Sequence, residues 1–308
     1  MGVRRLLDGP PSSRRCTTLR FVLMLSCLNF VLLLINYASS APRSIERPSS
    51  SALLDAVRKT GILRVGSPMD YAPFAFTPCG VIDSSAAMAL PAGSDIDLAR
   101  ALAQSLNAQM QIVATSWPHL IDDSRAGKFD IAVGGISITL ERLRDVGFSA
   151  STSPPTPKVI VARCADAALL RGGVELDVPS TVVAVNPGGT NEIAVRRALP
   201  NATVRLVAQY AQYEEVQSGA ANLTVTDTVE AELQSRRRAG QLCKGASLHD
   251  GHGALAIAAQ PKGFLLPRRD DVSGKAYIDH WIEQERAMIN ATMHMWLERS
   301  VNTAPPCR

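Results

Sequence analysis

The sequence predicts an α/β fold of two lobes joined by two crossover strands. Three observations carry this expectation. From Ala52 onward, short apolar runs of strand length alternate with amphipathic stretches of helix length, the pattern of βαβ units with largely parallel sheets. A Ser-Thr-Ser-Pro-Pro-Thr-Pro block at 151–157 then interrupts the alternation, and a second α/β run begins beyond it. Finally, Gly263-Phe264-Leu265-Leu266-Pro267 reads as a strand that leads back. The chain of 308 residues is 46% hydrophobic, enough for more than one core where a single domain takes about 100–200 residues.

The first forty residues read as a targeting segment. Arg4, Arg5, Arg14, Arg15 and Arg20 precede an apolar run from Phe21 to Tyr37, and Ala38-Ser39-Ser40-Ala41-Pro42 offers small residues for cleavage after Ser40. The run is also near the minimum of about 17–25 residues for a membrane span, so anchoring through 21–37 stays open. Export places the protein in the periplasm or outside the cell, free or anchored. Residues 41–51 form a polar linker too poor in apolar groups to pack.

Residues 52–157 make the first part of lobe 1. Leu53–Lys59 has helical apolar spacing, Ile62–Val65 is a short strand, and Asp70-Tyr71-Ala72-Pro73-Phe74 is an aromatic turn. A loop at 78–93, broken by Cys79, Gly80, Pro91 and Gly93, precedes a helix over 95–106 with Ile96, Leu98, Ala99 and Leu102 on one face. Strands at 110–114 and 129–133 flank a helix at 120–126. Lobe 2, residues 158–262, is predicted from strands at 159–162, 181–185, 203–206 and 223–226 and helices at 192–199 and 228–237. Residues 263–308 return to lobe 1 and end in one long amphipathic stretch from Gly274 to Arg299.

Composition removes several function classes. The net charge of +4 owes much to the N-terminal arginines, and no basic block follows, so nucleic acid is not an expected partner. His119, His249, His252, His280 and His294 show no ligand spacing and there is no CxxC pair, so no metal is expected; the proton-delivery chemistry considered below requires no cofactor. Beyond the targeting segment four cysteines remain, and an even number in an exported chain favours disulfides. They allow three pairings; the preferred one joins Cys164 to Cys243 and Cys79 to Cys307. Sequons stand at Asn201, Asn222 and Asn290.

Four segments carry chemistry: Ser116-Trp117-Pro118-His119-Leu120; Lys128 to Arg142, with Gly134-Gly135-Ile136-Ser137-Ile138-Thr139 inside it; Val185-Asn186-Pro187-Gly188-Gly189-Thr190-Asn191-Glu192; and Thr226-Asp227-Thr228-Val229-Glu230-Ala231. The guanidinium of Arg142 can fork onto a carboxylate through two parallel hydrogen bonds. The strand, glycine turn and helix start at 186–192 would offer backbone N–H groups to an anion. Alone, that turn also reads as an ordinary connection with Thr190 capping its helix, and Asp227 with Glu230 has the spacing of a capping box.

Together, in order and spacing, the segments resemble the family 3 extracellular solute-binding proteins over about residues 52–299, and within them the cyclohexadienyl dehydratase branch, which acts on prephenate and arogenate. The resemblance implies a type II periplasmic-binding-protein-like fold with a small carboxylate ligand between the lobes. It implies that Arg142, helped by Ser137 and Thr139, holds the ligand's carboxylate, that Thr190 and Asn191 add donors, and that Tyr71 and Trp117 line the cleft. Asp227 takes the position that amino-acid-binding relatives use for an ammonium, and Glu230 that of the general acid. A carboxyl group can deliver a proton to a leaving hydroxyl only if it stays protonated near neutrality, which burial and the nearby Asp227 would favour. The binding-protein relatives imply the alternative: a non-catalytic receptor for an amino acid or other small carboxylate, serving an ABC transporter or sensor. The sequence departs from the family pattern at Gly93-Ser94-Asp95, where Gly-Phe-Asp is usual, in an insertion around 79–91, at Thr152 in place of an aromatic, and in the spacing that sets Lys158 against the family's hinge lysine.

Overall fold

The computed structural model describes residues 51–78, 90–249 and 257–302. The apolar run at 21–37, Cys79 and Cys307 lie outside them.

Two five-stranded sheets organise the chain. The first has the order β4-β1-β5-β12-β6, formed by Gln109–Ala114, Ile62–Ser67, Ile131–Ala132, Gly263–Leu266 and Gly147–Ser151. β1 runs parallel to β4 and β5, while β12 returns antiparallel to β5 and β6. The second sheet has the order β11-β7-β10-β8-β9, from Leu242–Ser247, Lys158–Arg163, Leu223–Asp227, Val182–Val185 and Thr203–Leu206. β8 is parallel to β9 and β10, and β7 is antiparallel to both of its neighbours. A two-stranded hairpin, β2 (Asp70–Tyr71) and β3 (Ala75–Phe76), stands beside the first sheet in sequence order.

Burial explains the run-like strand sequences. Central strands covered on both faces by helices need apolar residues at consecutive positions. Leu63, Val65, Ile131 and Phe264 pack on Ile96, Leu102, Ile278 and Ile282 on one side of the first sheet, while Leu120, Phe129, Ala132 and Phe148 fill the other. In the second sheet Ile160, Val183 and Val225 meet Val195 and Leu199, and Val161 and Ala184 meet Tyr213 and Val216 on the opposite face.

The chain crosses between sheets at 152–157 and again at 257–262, where Thr156 bridges Gln260 and Ser137 bridges Lys262. The crossings therefore lie side by side, and Lys262 at the end of the second reaches the cleft. Cys164 and Cys243 are joined by a disulfide between the end of β7 and β11.

The C-terminal amphipathic stretch is two helices, Val272–Gln284 and Arg286–Asn302, with Glu285 between them. The last one spans both lobes. Trp296 Nε1–H donates to Asp97 of lobe 1 over 2.6 Å, and Glu298 accepts both guanidinium arms of Arg236 of lobe 2, at 2.8 and 2.6 Å. Between these contacts Trp296 joins a small apolar cluster with Phe76, Ala72 and Leu233. Among the described residues no helix is long and apolar enough to cross a membrane.

Candidate functional site

The cleft is built from strand ends and the turns that follow them, where α/β folds leave backbone groups and side chains free of the sheet. Its lining includes Tyr71, Trp117, Ser137, Arg142, Thr190, Asn191, Asp227 and Glu230, together with Asn186, Gln209 and Lys262. The residues singled out from sequence thus gather around one pocket, apart from Thr139, which lies behind Arg142.

Lobe 1 supplies a corner built around Arg142. Thr139 caps the short helix Leu140–Leu143, its Oγ1 accepting the Arg142 N–H over 3.2 Å. Arg142 Nη1 donates to the Ser137 carbonyl over 3.0 Å, so the guanidinium is held by one edge. Burial, partly offset by Asp227 and Glu141, lowers its pKa to about 10, which leaves it charged at neutral pH. The preceding turn requires glycine: Gly135 has φ of +69°, and a Cβ there would stand 2.7 Å from the Phe74 ring and 2.8 Å from the Tyr71 ring. Buried Asp95 holds the turn by accepting from Gly134 and Gly135 N–H at 3.0 and 2.8 Å. The departure at Gly93-Ser94-Asp95 therefore retains the carboxylate that braces the site.

Trp117 is placed by Asp70, whose Oδ1 accepts its indole N–H over 2.9 Å, and it meets Tyr71 edge to face with centroids 6.0 Å apart. Burial raises the Asp70 pKa to about 6, against the lowering effect of that hydrogen bond.

Lobe 2 supplies the carboxyl groups. Asp227 ends β10 and Glu230 lies in the first turn of helix Thr228–Arg237. The capping-box spacing is present, but its geometry is not. Asp227 makes no side-chain cap; its Oδ1 accepts from Lys158 Nζ at 2.9 Å, and its Oδ2 from Lys262 Nζ and the Tyr71 hydroxyl, each at 2.6 Å. Glu230 reaches Thr226 instead: its Oε2 accepts the Thr226 hydroxyl and its Oε1 accepts Gln209 Nε2–H over 3.2 Å.

The two carboxyl groups are driven apart electrostatically. Burial alone would raise the Asp227 pKa, but Lys158 and Lys262 hold it well below the usual carboxylate range. Glu230, completely buried and beside the Asp227 charge, is raised to about 7 despite the Thr226 hydrogen bond. Lys158 is lowered to about 8 by burial, offset by Asp227. Neighbouring acids with separated affinities for a proton are the arrangement that acid catalysis needs.

The glycine turn at 188–189 differs from its sequence reading. Gly189, not Thr190, is the cap residue of helix Thr190–Ala198, and it has no side-chain bond. Glu192 folds back so that its Oε2 accepts the Gly188 N–H over 2.9 Å, which already satisfies one donor of the expected anion cradle. Asn191 accepts from Lys158 Nζ over 2.7 Å.

Sequence reading did not single out Lys262 or Gln209. A lone lysine before a strand carries no pattern, and only the pairing of the crossings brings Lys262 onto Asp227. His119, His249, His280 and His294 are exposed, and His252 lies outside the described residues.

Residues 63–287 match the bacterial extracellular solute-binding proteins, family 3. The chain is 35% identical over 257 residues to the cyclohexadienyl dehydratase of Pseudomonas aeruginosa, covering 82% of this chain and 88% of that one. Among solved structures, an ancestral amino acid-binding protein described as a precursor of cyclohexadienyl dehydratase is 30% identical, with a TM-score of 0.67 over 80% of this chain and 99% of its own. An amino acid transporter substrate-binding protein from Streptococcus pneumoniae, bound to L-arginine, shares the fold at 24% identity and a TM-score of 0.69 over 82% and 99%.

Proposed function

Because the chain belongs to the bacterial extracellular solute-binding proteins of family 3, we propose that it is an exported lyase of the cyclohexadienyl dehydratase type, converting prephenate to phenylpyruvate, arogenate to phenylalanine, or both. The observation that carries this reading is Glu230, a carboxyl group without solvent exposure and with a pKa near 7, in the same pocket as Arg142.

The chemistry follows from those positions. Arg142 forks onto one substrate carboxylate and fixes the cyclohexadiene in the cleft, with Trp117 and Tyr71 as walls, so that orientation is settled before reaction. Glu230 in its protonated form gives its proton to the ring hydroxyl, which leaves as water. The electron pair of the bond to the ring carboxylate moves into the ring, carbon dioxide departs, and aromatisation supplies the driving force. The atoms balance with one proton consumed, which solvent returns to Glu230. A non-catalytic binder has no use for a protonated acid at this place.

A second reading is a receptor for an amino acid or another small carboxylate that serves a transporter or sensor, favoured by the likeness to the ancestral amino acid-binding protein. The purified protein incubated with prephenate decides between them. Phenylpyruvate formation that is lost in Glu230→Gln, with ligand binding retained, supports the lyase; ligand binding with no turnover of prephenate or arogenate leaves the receptor.

A further inference from the structure

We propose that Lys158 and Lys262 close Asp227 to ammonium groups, so that the cleft takes 2-oxo acids in preference to the corresponding 2-amino acids. The inference rests on the carboxylate-binding cleft proposed above and narrows its ligand class to acids without an amino group.

The argument begins with the acceptor capacity of one carboxylate, about four lone-pair sites. Three are taken. Lys158 occupies Oδ1 at 2.9 Å, while Lys262 and the Tyr71 hydroxyl occupy Oδ2 at 2.6 Å each. Both lysines are almost completely buried, with 3% and 2% of their surface exposed, so neither can swing aside into solvent.

Lys262 is fixed further. Its Nζ donates to Ser137 Oγ over 2.9 Å and stands 5.6 Å from the centre of the Tyr71 ring and 5.9 Å from that of Phe74, where the π faces favour a cation. Lys158 is fixed by Asn191 Oδ1 at 2.7 Å. A ligand ammonium brought to Asp227 would meet two like charges within a few ångströms in a water-poor site, where repulsion is screened far less than at a surface.

The remaining acid does not compensate. Both Glu230 oxygens are already engaged, Oε2 by the Thr226 hydroxyl and Oε1 by Gln209 Nε2–H. A keto oxygen, by contrast, is an acceptor and suits the N–H donors of Lys262, Asn191 and Gln209 that line the pocket. Lysine-bound Asp227 therefore acts as a neutralised support for two cations rather than as an ammonium receptor.

The test pairs ligands that differ only at this position. Calorimetry on the purified protein at neutral pH compares phenylpyruvate with phenylalanine, and turnover compares prephenate with arogenate. Phenylpyruvate is expected to bind at least about tenfold more tightly, with the same direction in kcat/KM for prephenate over arogenate. Lys262→Met, and separately Lys262→Gln, should shrink that ratio by about tenfold or reverse it while the melting transition remains cooperative. Equal or tighter binding of phenylalanine by the unaltered protein overturns the inference, as does failure of both acids to bind. A protein that favours phenylpyruvate yet turns over neither substrate sinks the lyase and leaves this inference standing. One that turns over arogenate with a kcat/KM equal to or above that for prephenate does the reverse.

Discussion

The hydroxyl of Tyr71 lies 2.6 Å from Asp227 Oδ2 and donates to it across the cleft, from a lobe 1 hairpin to the last residue of a lobe 2 strand. Close by, the Ala72 N–H donates to the Tyr210 hydroxyl over 2.7 Å, a second bond between the lobes. Both bonds tie one lobe to the other beside the pocket, so they hold the cleft in its closed arrangement. Tyr71→Phe removes a bond to a charged group, worth about 1.5–3 kcal/mol. The radius of gyration of the free protein should rise in small-angle scattering, and ligand affinity should fall roughly tenfold or more. Unchanged scattering with unchanged affinity contradicts this.

Turnover should follow the protonated form of Glu230. With that carboxyl raised to about 7, kcat/KM is level in mild acid and falls about tenfold per pH unit on the alkaline side. Glu230→Gln should lower turnover by about 10²–10⁴. A profile that rises with pH through neutrality would assign Glu230 to a base.

The same group affects stability, with a definite sign. Between about pH 4.5 and 7 the folded protein holds a proton on Glu230 that the unfolded chain has released, so this contribution is present in acid and is lost as pH rises through about 7. The total is on the order of 3 kcal/mol at most. Asp227, lowered by its lysines, acts oppositely: its contribution is present above the ordinary carboxylate pKa and is lost on acidification below it. Urea denaturation across this range should show a slope that Glu230→Gln flattens.

Arg142→Ala should weaken ligand binding under either functional reading, because it leaves a ligand carboxylate buried without its partner. The expected cost is about 2–5 kcal/mol, read by calorimetry. The far-ultraviolet spectrum should not change, since the side chain's own tie is a single bond to the Ser137 carbonyl. Full affinity in this variant would remove Arg142 from the site.

Reduction of the Cys164–Cys243 disulfide, or its replacement by serines, frees a sequence separation of 79 residues and should lower stability by about 2–5 kcal/mol. Denaturation with and without reductant measures it. The cleft lies at the other end of β7, at Lys158, so binding by the folded fraction should persist.

The sequence announced the fold because its strands are short apolar runs between amphipathic helices, and Arg142, Asp227 and Glu230 stand in local motifs. It was silent where partners meet through topology. Lys262 reaches Asp227 only because the two crossings pair, and nothing in its neighbours marks that register. Strand β11 was missed for a related reason: it lies at a sheet edge and carries Lys244 and Gly245, residues that protect an edge but blur the strand pattern. The C-terminal stretch was read as one element because its apolar periodicity continues without glycine or proline through Glu285, where the helix ends.

The final helix has feet on both sides of the cleft, and those on lobe 2 are of two kinds. Arg237 donates from Nε and Nη2 to the Ser300 carbonyl, and Leu233 joins the apolar cluster around Trp296, whereas Arg236 and Glu298 meet near solvent, where such pairs contribute about 1 kcal/mol or less and weaken with salt. Ionic strength therefore loosens only the outer of these ties, and the helix should stay seated on both lobes, a pin at the back of the molecule about which the mouth opens.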